Sequence, residues 1–87
     1  EETGKWPLQV IKVFTKEAKP DDCIKTAEIT TGKAGKERLC EAYFYVGEYY
    51  LINNDKAKAK EYFTRCIETN IDYFNEFYMA KAELKKL

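Results

Sequence analysis

The sequence predicts an all-α fold of about five helices, paired antiparallel within a single small domain. Three observations lead there. Apolar residues recur at helical spacing in successive segments, and no stretch alternates apolar and polar residues cleanly enough for a strand. Pro, Gly and Asn-Asp groups punctuate the chain between those segments. The 87 residues are 45% hydrophobic and 34% charged, a globular rather than disordered balance that supports one modest core.

The first segment spans about Lys5 to Glu17. Pro7 stands near its start, where a missing N–H costs nothing. Trp6, Val10, Val13 and Phe14 form its stripe, widened by Leu8 and Ile11. The second runs from Pro20 to about Thr30. Asp21 and Asp22 place negative charge at the positive end of its dipole, and Cys23, Ile24 and Ala27, extended by Ile29, form its inner face. Thr31-Gly32-Lys33-Ala34-Gly35 reads as a loop because it holds two glycines.

The third segment, Lys36 to Asn53, carries Leu39, Tyr43, Val46, Gly47 and Tyr50 on one face. Asn53-Asn54-Asp55 ends it: Asn tolerates the left-handed conformation that closes helices, and Asp55 caps the next one. The fourth, Lys56 to about Thr69, turns Ala59, Tyr62, Phe63, Cys66 and Ile67 inward and sets Glu61 four residues before Arg65. Asn70 ends it. The fifth starts at Asp72 as N-cap and continues to Leu87, with Phe74, Phe77, Tyr78 and Leu84 in its stripe and Ala80 as a small contact.

Residues 40–70 carry a spaced pattern: Tyr43-x-x-Val46-Gly47-x-x-Tyr50, then Asn54-Asp55, then Ala59-x-x-x-Phe63-x-x-Cys66-Ile67. This resembles the tetratricopeptide repeat (TPR), an antiparallel helix pair of about 34 residues with Trp, Leu, Gly, Tyr, Ala, Phe and Pro at set places. Gly47, Tyr50, Ala59 and Phe63 match. Tyr43 replaces the Trp, Val46 the Leu, and Ile71 lies where the Pro would stand, which leaves the turn less rigid. Gly47 and Ala59 lack bulk where the two helices cross, and Tyr43, Tyr50 and Phe63 fill the space around that crossing. One repeat length of about 34 residues beyond Tyr43 lies Phe77. Lys81 then takes the Gly place and Leu84 the Tyr place, which suits a polar capping helix. Trp6 stands at the comparable place upstream, with about three extra residues in the connection.

The resulting organisation is a degenerate helix pair and loop over 1–35, then one complete repeat (about 40–70) and a C-terminal capping helix (72–87) within 36–87. Such arrays need about three repeats for stability. The reading therefore implies either further repeats beyond this chain or self-association. Trp6-Pro7, the run Cys40 to Tyr50, and Phe74-x-Glu76-Phe77-Tyr78-x-Ala80-x-Ala82-Glu83-Leu84 are similar to the C-terminal part of bacterial NlpI-type TPR lipoproteins. That resemblance implies a periplasmic or cell-envelope adaptor for cell-wall hydrolases, with any lipid anchor lying outside this chain. Without it, the expected location is the cytoplasm.

Function classes narrow further on composition. Lys plus Arg and Asp plus Glu are both 15, so no net charge draws the chain to nucleic acid or an anionic membrane. Lys56, Lys58 and Lys60 are diluted by acids. No apolar run is long enough to span a membrane. The start, Glu1-Glu2-Thr3-Gly4, has no apolar signal region, as expected of a cytosolic protein, a mature form or an excised fragment. There is no His, which removes the commonest general base, the usual zinc ligand and any Ser-His or Cys-His pair. No enzyme, metal or cofactor is expected. Cys23, Cys40 and Cys66 have no C-x-x-C spacing. They read as small core thiols, with a disulfide between two of them as the alternative and a metal or catalytic thiol a remoter one.

The resemblance places a partner on the concave face lined by the first helix of each repeat. The residues expected there are Glu41, Phe44, Tyr45, Glu48 and Leu51, with Asn75, Tyr78 and Ala82 from the last helix. This aromatic and acidic mix suits a peptide or helix with apolar anchors and a basic flank. Phe44 and Glu48 occupy the places where carboxylate-gripping TPR domains carry Lys and Asn, so a C-terminal carboxylate is not the expected ligand. The expected function is a protein-interaction adaptor or scaffold, with a capping or homodimerising module of a longer repeat protein as the alternative.

Overall fold

The computed structural model of the chain describes residues 20–29 and 32–87. Among them it is all-α, with four helices and no strand: α1 (Pro20–Glu28), α2 (Gly32–Ile52), α3 (Lys56–Glu68) and α4 (Asn75–Lys86). The helix expected over Lys5 to Glu17, and with it the upstream half of the degenerate pair, lies outside the described residues.

Helix α1 stops two residues short of the expected Thr30. Ile29 is 80% exposed and adds nothing to the inner face, whereas Cys23, Ile24 and Ala27 are buried as expected. Helix α2 begins at Gly32, where a loop was expected to run on to Gly35. Gly32 itself has φ +71°, the left-handed region that glycine enters freely. The added turn finds distant support: Glu37 accepts a 2.5 Å hydrogen bond from the Tyr73 hydroxyl, and Lys33 sits over the Tyr73 ring. These contacts come from the α3–α4 connection and outweigh the low helix propensity of glycine.

The α2–α3 turn forms as expected. Asn54 takes φ +63°. Its N–H donates to the Leu51 carbonyl and the Asp55 N–H to the Tyr50 carbonyl, the paired bonds of a Schellman ending. The Asp55 side chain then accepts from the Lys58 N–H and caps α3. Helix α3 closes similarly, with Asn70 at φ +59° donating to the Ile67 carbonyl. Arg65 and Glu61 meet at 2.7 Å on its exposed side, a pair worth about 0.3–0.5 kcal/mol.

Helix α4 starts two residues later than expected. Phe74, not Asp72, is the N-cap, and it makes no side-chain capping bond. The cause is Ile71, at the expected proline place. Its side chain is buried with Cys66 and Phe77, and the half-buried Phe74 packs on the same cluster. The chain turns through 72–74 to deliver both, and helical geometry resumes only afterwards.

Helix α2 is the spine. Cys40 and Phe44 bury one side of it against Ala59, Phe63, Cys66, Ile71, Phe77 and Ala80 of the α3–α4 half. Ala42 and Val46, roughly half a turn around the helix, bury the opposite side against Cys23, Ile24 and Ala27 of α1. Tyr43 and Tyr50 border both clusters, and the Tyr50 ring stacks on Tyr62 at 5.6 Å. The stripe expected on α2 therefore marks the seam between two cores, and both its flanks are buried as well.

Contacts along α2 and α3 run in opposite directions, from Cys40–Cys66 through Phe44–Phe63 to Tyr50–Tyr62, so the two helices are antiparallel. Those between α2 and α4 run in step, from Tyr45–Glu76 to Glu48–Glu83, so these two are parallel. Gly47 is where α2 receives the Phe63 ring: a Cβ built there would lie 2.7 Å from Phe63 Cε1. Ala59, one turn before Phe63, is wholly buried. The space that glycine leaves is thus filled by an aromatic ring.

Candidate interaction face between α2 and α4

Parallel packing of α2 and α4 brings two rows of side chains together. On α2, Glu41, Tyr45 and Glu48 recur at helical spacing and are each half-buried. On α4, Glu76 and Glu83 stand seven residues apart and answer them. The Tyr45 hydroxyl donates to Glu76 Oε2 at 3.2 Å. Burial, followed by the charges and hydrogen bond of Glu76 and the charges of Glu41 and Glu48, pushes the Tyr45 phenol up to about 12, so it is a fixed donor at any ordinary pH.

Glu48 and Glu83 form a carboxyl pair. Burial comes first and a shared hydrogen bond second in pushing the Glu48 carboxyl up to about 7, with the Glu83 charge adding to both and Lys86 opposing them. Glu48 Oε2 is shielded from solvent and has no hydrogen-bond partner among the described residues. The face is therefore acidic and holds one carboxyl that gives up its proton near neutrality.

The sequence-predicted residues divide. Glu41, Tyr45 and Glu48 are brought together here. Leu51 is half-buried and packs against the aromatic core. Asn75, Tyr78 and Ala82 are exposed on α4, where Tyr78 lies edge-on to Phe77 with Lys81 nearby. Phe44 does not line an open groove. It is 6% exposed and packs at 5.7 Å from the Phe63 ring, because α4 lies over the side of α2 that carries it. Glu76 and Glu83 were not anticipated. Their signal was in the sequence: they repeat the Glu41 and Glu48 spacing about one TPR length further on.

Other chemistry is sparse. No group of three or more His, Cys, Asp or Glu residues among the described ones could hold a metal ion. No helix among them is long and apolar enough to cross a membrane. A shallow depression lined by Tyr43, Arg65, Glu68 and Thr69 lies away from the acidic face and presents charges of both signs. Cys23, Cys40 and Cys66 are all free and buried. Comparison of the chain with family models, curated proteins and solved structures yields no match in any of the three.

Proposed function

We propose that this chain is a TPR-like, non-catalytic module that binds a basic segment of a partner protein along the face shared by α2 and α4. The TPR reading is supported by an antiparallel pair, α2 and α3, followed by a helix parallel to the first. It is supported too by the pattern glycine, Gly47, abutting the pattern aromatic, Phe63. The observation that carries the binding reading is the doubled acidic row, Glu41 and Glu48 on one helix and Glu76 and Glu83 on the next, with Tyr45 between them. Carboxyls gathered from two helices gain when a Lys or Arg side chain enters, which also draws off the proton that Glu48 shares with Glu83. An amphipathic helix or extended peptide with basic residues and an apolar anchor meets both that charge and the neighbouring Leu51.

Charge reversal tests it. Glu41→Lys combined with Glu48→Lys should weaken binding of a Lys/Arg-rich amphipathic peptide by about tenfold or more in fluorescence anisotropy, and rising salt should weaken the parent in the same direction. Equal affinity of parent and variant would remove the acidic face from the reading.

A second reading, a capping or homodimerising module, is favoured by the outer side of α4, where Tyr78 is 56% and Met79 41% exposed. Sedimentation across a concentration range separates the two, since a strict monomer excludes self-association.

A further inference from the structure

We infer that Cys40 and Cys66 are an oxidisable pair whose disulfide staples α2 to α3, while Cys23 stays a thiol. Three sulfurs allow three pairings, and the fold selects one. Cys40 Sγ and Cys66 Sγ lie 3.5 Å apart, both fully buried, on two antiparallel helices and 26 residues apart in sequence. Cys23 is buried in the other core, across α2, among Ile24, Ala27, Ala42 and Val46. Burial pushes its thiol up to about 12, and no second sulfur stands among its buried neighbours to complete a bridge.

The surroundings of the pair differ from those of an inert core thiol. The two thiols hydrogen-bond one another, and either can be the donor, while the Thr69 hydroxyl donates to the Cys66 carbonyl. The bond between the sulfurs lowers the Cys40 thiol, and the same bond with burial raises Cys66. Cys66 Sγ also lies 3.7 Å from the Glu76 carbonyl on α4, so its single proton has two acceptors to choose between. Attack by Cys40 with Cys66 resolving, or the reverse, gives the same bridge.

With hydrogen peroxide as oxidant, the Cys40 thiolate attacks one peroxide oxygen, the O–O bond breaks, and Cys40 becomes a sulfenic acid as hydroxide leaves. That hydroxide takes the Cys66 proton and departs as water. The Cys66 thiolate then attacks the Cys40 sulfur, the S–O bond breaks, and the second hydroxide collects the proton first lost by Cys40. Two thiols and one peroxide give one disulfide and two waters. The sulfurs must close the remaining gap to a bonding distance of about 2.05 Å, by small rotations about the two Cα–Cβ bonds. The bridge ties α2 to α3 and restricts the unfolded chain across the 26 residues between the two sulfurs.

The experiment treats the native protein with hydrogen peroxide and maps its cysteines by alkylation and peptide mass spectrometry. The expected result is an intact mass lower by two hydrogens, a Cys40–Cys66 linked peptide and a Cys23 that alkylates after unfolding. The melting temperature should rise by about 10 °C and return with dithiothreitol. Cys23→Ala should behave in the same way, and Cys66→Ala should lose both the bridge and the thermal shift. Should Cys66→Ala fail to fold, the peptide map of the parent decides alone. A bridge involving Cys23, separate over-oxidation of Cys40 and Cys66, no bridge, or a melting temperature that falls on oxidation would each overturn the inference.

Discussion

The two cores on either side of α2 are built from different materials. Toward α3 and α4 the buried set holds three aromatic rings: Phe44, Phe63 and Phe77, with Ile71, Cys40, Cys66, Ala59 and Ala80. Toward α1 it is small: Cys23, Ile24, Ala27, Ala42 and Val46. Each buried phenylalanine or isoleucine contributes about 1.5–3 kcal/mol by removal from water, and alanine far less. The small side also rests on a helix of nine residues, too short to persist without its docking surface. The aromatic half is therefore the stable body of the domain, and α1 is an attached element that gains most of its order from α2. Tyr43 and Tyr50, bordering both clusters, are where the two halves are mechanically joined.

The contrast breaks most visibly at Gly47. A methyl group there would sit 2.7–2.8 Å from the Phe63 ring, which is wholly buried and has no room to retreat. Gly47→Ala should therefore destabilise the domain by about 1–2 kcal/mol in urea unfolding, overpacking outweighing the better helix propensity of alanine. A more stable variant would mean that the ring lies elsewhere and that the aromatic side is packed loosely.

A smaller effect sharpens the comparison at the rim of the aromatic half. The Glu48 carboxyl is raised from 4.5 to about 7. Because the folded value lies above the unfolded one, the proton on Glu48 stabilises the fold. That contribution is complete below the unfolded value and is lost as pH rises through 7. The groups facing it are Glu83 and Lys86 from α4, with Tyr45 on its own helix. Melting temperatures between pH 5 and pH 8 should fall for the parent by about 2 °C more than for Glu48→Gln, a modest difference because solvent screens a half-exposed carboxyl. Parallel pH profiles would show that Glu48 and Glu83 do not share a proton.

Much of this architecture was readable in advance, and the exceptions have one cause. Asn54 and Asp55 announced their turn because the chemistry is local: a residue tolerant of left-handed backbone, then a carboxylate cap. Gly47 and Phe63 were legible through their spacing. The early start of α2 at Gly32 was not, because its support comes from Tyr73, far along the chain. The late start of α4 was hidden for the same reason, since burial of Ile71 and not a local capping signal sets it. Phe44 was misplaced because periodicity identifies a face without saying which neighbour covers it. Glu76 and Glu83 repeat the spacing of Glu41 and Glu48 in the sequence, but only the register of the two helices sets them opposite Tyr45 and Glu48.

Native-state hydrogen exchange tests the division of the molecule most directly. Amides of α1 should exchange through a local opening of low free energy, while the central amides of α2 and α3 exchange only with global unfolding. Equal protection in α1 and in the α2–α3 pair would contradict the account, because it would make the two cores one cooperative unit.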